Sequence, residues 1–247
     1  MTEHQKFSAI ILGSAIALAG LFVGFGVSRI RTSDRFVTVK GVSEREVRAD
    51  VAIWPLQVVG ADDQLAAAQS QLARSIVNVK QFLARHGIDT TQIELTGFGA
   101  SDAQTNIYRG DRLPQNRFIL RQTLLVRSAD PDKVKQASER VGELASIGVA
   151  VSSGAGGEYG GQGMGPAFLY TKLNDIKPTM IAEATARARE AGEQFARDSR
   201  STLGGIRKAN QGIFEIVGRD QAPGVMSEGQ VAKVVRVVST VEYFLKD

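Results

Sequence analysis

The sequence predicts an α+β protein: an antiparallel or mixed sheet with about three helices packed on it, preceded by one N-terminal transmembrane helix. Three observations lead to this prediction. A chargeless apolar run lies near the N terminus, helix-like segments alternate with pairs of strand-like segments, and the last strand alternates apolar with polar residues. Helices that alternate with strand pairs, rather than with single strands, favour α+β over a doubly wound fold.

The apolar run covers residues 7–28 and contains no Lys, Arg, Asp or Glu. As a helix it would be roughly 33 Å long, which matches the hydrocarbon core of a bilayer. A cleaved signal peptide is the alternative, because Lys6 gives a basic start and small residues at 15–17 or 17–19 would suit cleavage. The run resumes at 21–23, beyond both sites, so we favour an uncleaved single-pass anchor.

Two glycines of this run, Gly20 and Gly24, have the GxxxG spacing that lets membrane helices approach closely. They are the candidate membrane-helix packing residues, although glycine is common in membrane helices and the chance match is the preferred interpretation. Four basic residues follow the run closely: Arg29, Arg31, Arg35 and Lys40. By the positive-inside rule they would place the rest of the chain after the run, which we call the body, in the cytoplasm.

Composition excludes several classes of protein. The chain has 247 residues and no cysteine, so it holds no disulfide, thiol nucleophile or iron–sulfur cluster. It has two histidines, which are too few for a histidine-rich metal site. The apolar content of 43% excludes disorder, and the absence of a second apolar run excludes a polytopic membrane protein. A net charge of +4 is too small to indicate either nucleic acid or an anionic membrane as a partner.

The first half of the body reads as two strands followed by a helix. The first strand starts at Phe36 and ends at a turn around residues 41–44, and the second covers 46–59, where Pro55 indicates an edge strand or a bulge. Asp62 or Asp63 would cap a helix that ends at Gly87. Its apolar stripe consists of Leu65, Ala68, Leu72, Ile76, Val79 and Leu83.

The second half continues with strands at 93–104 and 117–127 and a helix from Asp130-Pro131 to Gly148. A short strand at 147–151 follows. The longest helix is predicted to start at Asn174 or Asp175 and to end at Gly204-Gly205, with two strands after it, 206–217 and 231–245. The expected core residues of this helix are Ile181, Ala184, Ala188, Ala191 and Phe195.

A glycine-rich stretch lies between the second and third predicted helices, with seven glycines in residues 154–165. The Gly-Lys-Ser/Thr ending of a phosphate-binding loop is absent, so a flexible hairpin or an oligomer-contact loop is favoured. The candidate contact residues are Gly154, Gly157, Tyr159, Gly161 and Gly165.

The residues predict no catalytic, cofactor-binding or metal site. His86 is the only histidine of the body, and its expected role is to compensate a helix C terminus. Asp62 and Asp63 are explained as helix-start residues. Basic residues from 187 to 208 alternate with acidic ones, which is typical of a solvated face. Trp54 is expected in the core.

Several stretches resemble the SIMPL domain, a bacterial domain of largely unknown function. Residues 37–44 and 47–52 are similar to its opening, with Ser43 in place of the second glycine and Ala49 in place of the proline before the aspartate. Further similarities are at 87–89, 97–98, 173–178, 181–184, 195–196, 209–214 and 235–245. The resemblance covers about residues 36–247, and its glycine-rich part, 153–166, is a local insertion.

The resemblance implies an α+β domain at 36–247, after a tail and anchor at 1–30 and a linker at 31–35. It also implies export to the periplasm, assembly into homo-oligomers that are ring-shaped in some relatives, and a link of some relatives to oxidative-stress defence. We therefore expect a non-enzymatic envelope protein, held in the inner membrane by residues 7–28 with its body in the periplasm. Cofactors, nucleic acid and a known small-molecule ligand are not expected. The alternatives are a soluble periplasmic protein after signal cleavage, and a small-molecule-binding module or enzyme with a cleft between sheet and helices.

Overall fold

The structure, a computed structural model, describes residues 13–22, 35–105, 116–153 and 165–246. They form an α+β fold with five helices and two antiparallel sheets. The chain divides into two compact units. The first consists of Met1–Ser43, Lys177–Phe214 and Val237–Asp247, and the second of Glu44–Ile176 and Glu215–Arg236.

The elements follow one another in the order that the sequence predicts, with two short strands added. Helix α1 covers the described residues 13–22. The later elements are β1 (Phe36–Arg48), β2 (Val51–Asp62), α2 (Leu65–Arg85), β3 (Ile93–Asp102), β4 (Phe118–Ser128), α3 (Pro131–Glu139), α4 (Gly142–Ser146), β5 (Val151–Ser153), β6 (Ala167–Leu169), α5 (Leu173–Asp198), β7 (Thr202–Gln211), β8 (Glu215–Gly218) and β9 (Ala232–Lys246).

The second unit contains a sheet in the order β3-β4-β2-β5, with β6 also paired to β2. Alternate residues of β2 and β4 are buried, and they pack with α2, α3 and α4 into one core that includes Trp54, Leu56, Phe82, Leu124 and Leu144. Trp54 is 1% exposed, which confirms its predicted place in the core. This alternation is the period-2 pattern of a sheet with one buried face.

Pro55 lies in the middle of this sheet, so the predicted edge strand is wrong. Its partner on β4 is Leu125. On the other side of β2, the described pairing with β6 ends at Ile53 and that with β5 begins at Leu56. Proline donates no backbone hydrogen bond, and the interval between these two short strands accommodates it.

The first unit packs α5 on the strands β1, β9 and β7. The buried residues of α5 recur every fourth position, and most are small: Met180, Ala184, Ala188, Gly192 and Ala196. Only Ala184 and Ala188 of the expected stripe are buried, whereas Phe195 is 50% exposed. Small residues at this spacing let the helix backbone approach the sheet closely.

The predicted turn at 41–44 is wrong, because β1 continues through these residues, and the close approach of α5 explains the glycine at position 41. A Cβ atom on Gly41 would overlap the backbone of Ala184 and Ala188, so this position requires glycine within a continuous strand β1. The chain instead turns at Ala49-Asp50, between β1 and β2.

The predicted end of the long helix at Gly204-Gly205 is also wrong. Helix α5 ends at Asp198, where Arg200 adopts a positive φ of 55° and the amide of Ser201 donates to Ala196 O at 2.8 Å. The two glycines lie in β7, opposite Phe244, in an irregularity of the register between Leu203 and Ile206. A bulge of this kind is a common use of glycine in a strand.

Several other predicted boundaries of helices and strands are wrong, and two are confirmed. Helix α2 begins after Gln64 with no side-chain cap, so the predicted cap by Asp62 or Asp63 is wrong. The helix predicted up to Gly148 is divided into α3 and α4. The predicted strand 206–217 is divided into β7 and β8. The cap by Asp130, whose side chain accepts from the amide of Lys133 at 3.3 Å, and the stop at Gly87, with a φ of 70°, are confirmed.

The predicted membrane helix extends beyond the described part of the chain, since residues 7–12 and 23–28 lie outside it. Within the described residues, we find no helix with the length and apolar character needed to cross a membrane.

Candidate functional site

Strand β3 forms one end of the second unit's sheet and is the most exposed strand of that sheet. In the described chain it pairs only with β4. Its eight residues from 94 to 101 are all exposed. An end strand leaves a row of backbone N–H and C=O groups available for pairing with another chain.

A β-bulge interrupts the pairing in the middle of β3. Gly97 and Phe98 together face one residue of β4, Gln122, because the pairing shifts between Thr96 and Gly99. Gly97 has a φ of 61°, which glycine adopts without strain. The side chain of Gln122 is buried, and its Nε2 donates to Thr96 O at 2.7 Å. The bulge is therefore a fixed feature of the strand.

The bulge presents an aromatic side chain at the edge. Phe98 is 64% exposed and Leu95 is 50% exposed. Residues 94–101 contain one charged residue, Glu94, and neither Lys nor Pro, which many proteins place on edge strands to prevent pairing. We call residues 93–102 the exposed edge. Its chemistry suits contact with another protein surface.

One ion pair and one further hydrogen bond hold Arg117, the residue just before β4, to Asp102 at the end of β3 and to Asp63. The guanidinium of Arg117 donates from Nη2 to Asp102 Oδ2 at 3.0 Å, and the backbone amide of Arg117 donates to Asp63 Oδ1, also at 3.0 Å. The hydrogen bond to Asp102 raises the pKa of Arg117 above its usual value. Asp63 therefore helps to position β4, rather than capping α2.

The residues predicted for membrane-helix packing and oligomer contact are not brought together in the described structure. Gly20 lies in α1, and Gly165 precedes β6; a Cβ atom added to either would have no heavy atom within 4 Å. The remaining predicted residues lie outside the described residues: Gly24, Gly154, Gly157, Tyr159 and Gly161.

His86 lies at the C-terminal end of α2, as predicted. Its ring packs edge-on against Phe82, with ring centroids 4.5 Å apart, and its Nε2 is 3.7 Å from Glu143 Oε2. Within the described ranges, no three His, Asp or Glu side chains are grouped to hold a metal ion.

Two polar arrangements were not predicted from the sequence. The side chain of Asp50 accepts from the backbone N and from Oγ1 of Thr171, at 2.7 and 2.8 Å. Burial raises the pKa of Asp50, but these hydrogen bonds outweigh it, so the pKa lies below its ordinary value. The arrangement fixes the turn between β1 and β2.

The second arrangement is a buried lysine. Lys233 is 4% exposed, and its Nζ donates to Ser227 O at 2.6 Å and to Glu228 O at 3.4 Å. Burial lowers its pKa, and nearby Glu228 partly opposes that shift. The alternation of β9 could have located it, because Lys233 has the same parity as the buried Val235 and Val237. Its contacts bind the loop before β9.

A groove of about 590 Å³ lies on the surface of α2, lined by Asn78, Gln81, Ala84, Arg85 and Ile147. Among the described residues that line it, Arg85 is the one charged group, and none is a carboxylate that could act as an acid or base. It lies beside helices, whereas the alternative interpretation expects a cleft between sheet and helices.

Comparison with known families gives one match. A family model described as "SIMPL: Protein of unknown function (DUF541)" matches residues 37–242, which include all the strands described above except the last residues of β9 and the first residue of β1. No curated protein matches the chain.

Proposed function

The chain belongs to the SIMPL family, and we propose that it is an exported, membrane-anchored protein of the cell envelope that works as a non-enzymatic homo-oligomer. Residues 7–28 would cross the inner membrane once, with the body in the periplasm. A role in oxidative or envelope stress defence is part of this proposal only through the resemblance to the family.

The exposed edge carries the assembly part of the proposal. Within the described residues β3 pairs on one side only, and it has one charge among eight exposed residues and an exposed leucine and phenylalanine, so it is suited to bury surface against a second copy. The bulge leaves only short lengths of strand on either side of it. Phe98 would therefore provide the apolar anchor that short backbone pairing needs.

The experiment measures the mass of the full chain in detergent by light scattering coupled to size-exclusion chromatography. We expect an oligomer for the wild type and a shift toward monomer for Leu95→Lys/Phe98→Lys, because two charges on the edge oppose pairing. Ile213→Lys is the matched control, since Ile213 is 87% exposed and lies outside the exposed edge. A monomeric wild type at micromolar concentration would contradict the assembly.

The anchoring part needs a separate measurement. Flotation of the reconstituted full chain with vesicles tests insertion, and protease access to the C terminus in spheroplasts tests orientation. The proposal expects flotation and cleavage from the outside. A C terminus that stays protected, while an outer-face control protein is digested, would place the body in the cytoplasm.

A further inference from the structure

One face of the first unit's sheet is turned away from α5. In β1, Val37 and Val39 are buried on the helix side, whereas Phe36, Thr38 and Lys40 are exposed. Successive residues of a strand point to opposite faces. Phe36, Thr38 and Lys40 therefore share the face opposite the helix.

The neighbouring strands add charged residues to the same face. Arg207 is the extra residue between the pairs Ile206–Tyr243 and Lys208–Glu242. Its Cζ lies 4.0 Å from the centroid of the Phe36 ring, and its Nη1 lies 3.4 Å from Glu242 Oε2. Directly paired residues of two strands share a face, so Lys208 lies beside Glu242. We call this set the basic face: Phe36, Thr38, Lys40, Arg207, Lys208 and Glu242.

The basic face carries more basic than acidic side chains, whereas the charges of α5 on the other side of the sheet balance. The strand residues of the first unit include four basic side chains, Lys40, Arg207, Lys208 and Lys246, and a single acidic one, Glu242. On the opposite side, residues 177–198 of α5 include four basic and four acidic side chains. Glu242 pairs with Arg207, so these two charges cancel. The net positive charge of the face therefore comes from Lys40 and Lys208.

Basic side chains around an exposed phenylalanine suit two kinds of partner, an anionic membrane surface and a single-stranded nucleic acid. The position of the face in the chain distinguishes them. Only residues 29–35 separate the chargeless run from Phe36, and this length reaches at most about 28 Å when fully extended. The sequence of this segment is itself basic, with Arg29, Arg31 and Arg35 against Asp34.

We propose that the basic face docks on the anionic headgroups of the membrane that residues 7–28 enter. The inference rests on the proposed anchoring. The lysines bind headgroup phosphates, the Phe36 ring enters the interfacial region, and α5 faces away from the bilayer. Docking fixes the orientation of the first unit at the membrane surface.

The test uses the absence of cysteine from the natural chain. Thr38→Cys places a single label on the basic face without changing its charge, and Ala186→Cys places one on the exposed side of α5. Each full-length variant carries an environment-sensitive fluorophore and is reconstituted in vesicles of phosphatidylcholine, with or without phosphatidylglycerol. Flotation of the same samples reports anchoring independently.

In vesicles that contain phosphatidylglycerol, docking predicts that the emission of the fluorophore at position 38 shifts to the blue and is protected from an aqueous quencher. The fluorophore at position 186 should stay accessible to the quencher. In phosphatidylcholine alone, or in 1 M salt where the screening length is about 3 Å, both labels should be accessible. Adding Lys40→Gln/Lys208→Gln should lower the ratio of docked to undocked protein by about fivefold for each lysine. The control pair Arg74→Gln/Lys135→Gln removes the same charge from the second unit and should leave this ratio unchanged.

Three results would overturn the proposal, and they are distinguishable. If the protein floats and the label at position 38 is as accessible as that at 186 with phosphatidylglycerol present, anchoring holds and docking is wrong. If the label responds to a single-stranded oligonucleotide and not to anionic vesicles, the face binds nucleic acid. If the protein does not float, anchoring and docking are both wrong.

Discussion

The hydroxyl of Ser43 on β1 donates a hydrogen bond to Glu183 on α5, with 2.7 Å between Oγ and Oε2. Ser43 is completely buried, and it occupies the position where the SIMPL pattern has its second glycine. Two residues earlier, Gly41 admits the backbone of the same helix. The opening segment of the family pattern therefore serves to seat α5 on the sheet in this chain.

Replacing Ser43 tests the contribution of this contact. Ser43→Ala should lower the free energy of unfolding by about 1–2 kcal/mol, because the carboxylate of Glu183 loses a buried donor. Urea denaturation measures the change. Ser138→Ala is the control, since the Ser138 hydroxyl is bonded to the carbonyl of Lys135 in its own helix, and we expect its effect to stay within about 0.5 kcal/mol. If both variants lower the free energy of unfolding by the same amount, the hydrogen bond between Ser43 and Glu183 does not contribute the expected stability.

Replacing Gly41 tests the close approach of α5. Gly41→Ala should destabilise the protein by about 1–3 kcal/mol or more, because the added methyl group meets backbone atoms that cannot rotate away. The midpoint of thermal unfolding measures this. Gly205→Ala introduces the same methyl group in β7, where it has no heavy atom within 4 Å. A Gly41→Ala protein as stable as the Gly205→Ala control would contradict the packing.

The Asp50–Thr171 arrangement predicts a dependence of stability on pH. The folded state lowers the pKa of Asp50, so its stabilising contribution is present above the unfolded pKa of about 3.9 and is lost as the pH falls through the folded value. Thr171→Val removes one donor to the carboxylate. The variant should therefore be less stable than the wild type by about 1 kcal/mol at pH 7, and this difference should shrink below about pH 3.

Urea midpoints between pH 3 and pH 7 give the comparison. Thr105→Val provides the control, because the Thr105 hydroxyl donates to the backbone carbonyl of Asp102, which does not titrate. Its difference from the wild type should be the same at every pH. A constant difference for Thr171→Val as well would show that Asp50 is not the responsible group.

The buried position of Lys233 predicts low chemical reactivity. Acylation with an amine reagent should be at least about tenfold slower at Lys233 than at the exposed Lys135, because reaction requires local opening of the loop before β9. Peptide mass spectrometry measures both rates in one sample. A lysine that reacts as fast as Lys135 would mean that the contacts with Ser227 and Glu228 are not formed in solution.

The elements that are well predicted from the sequence are those with a periodic apolar pattern or a clear helix-capping residue. The alternation around Val235 and Tyr243 correctly located β9, and Asp130 correctly marked the start of α3. Strands β6 and β8 have three and four residues, which is too short for a periodic pattern. They form because a longer strand offers them a partner.

Glycine positions are where the sequence and the structure differ most. As local signals, Gly41 predicts a turn and Gly204 a helix end, but each is required by a backbone that comes from elsewhere in the chain. A single sequence does not indicate such contacts. The exposed edge shows the same difficulty. The sequence predicts a strand at residues 93–104, but its position at one end of the sheet depends on which strands pair, and the sequence does not indicate this.

The central claim, that copies of this chain associate through β3, is tested most directly by hydrogen–deuterium exchange of the full chain at several protein concentrations. If copies associate through β3, peptides covering residues 93–102 exchange more slowly as the oligomer forms. This slowing should be absent in Leu95→Lys/Phe98→Lys and retained in Ile213→Lys. An oligomer that forms while the exchange of residues 93–102 stays constant would contradict association through β3.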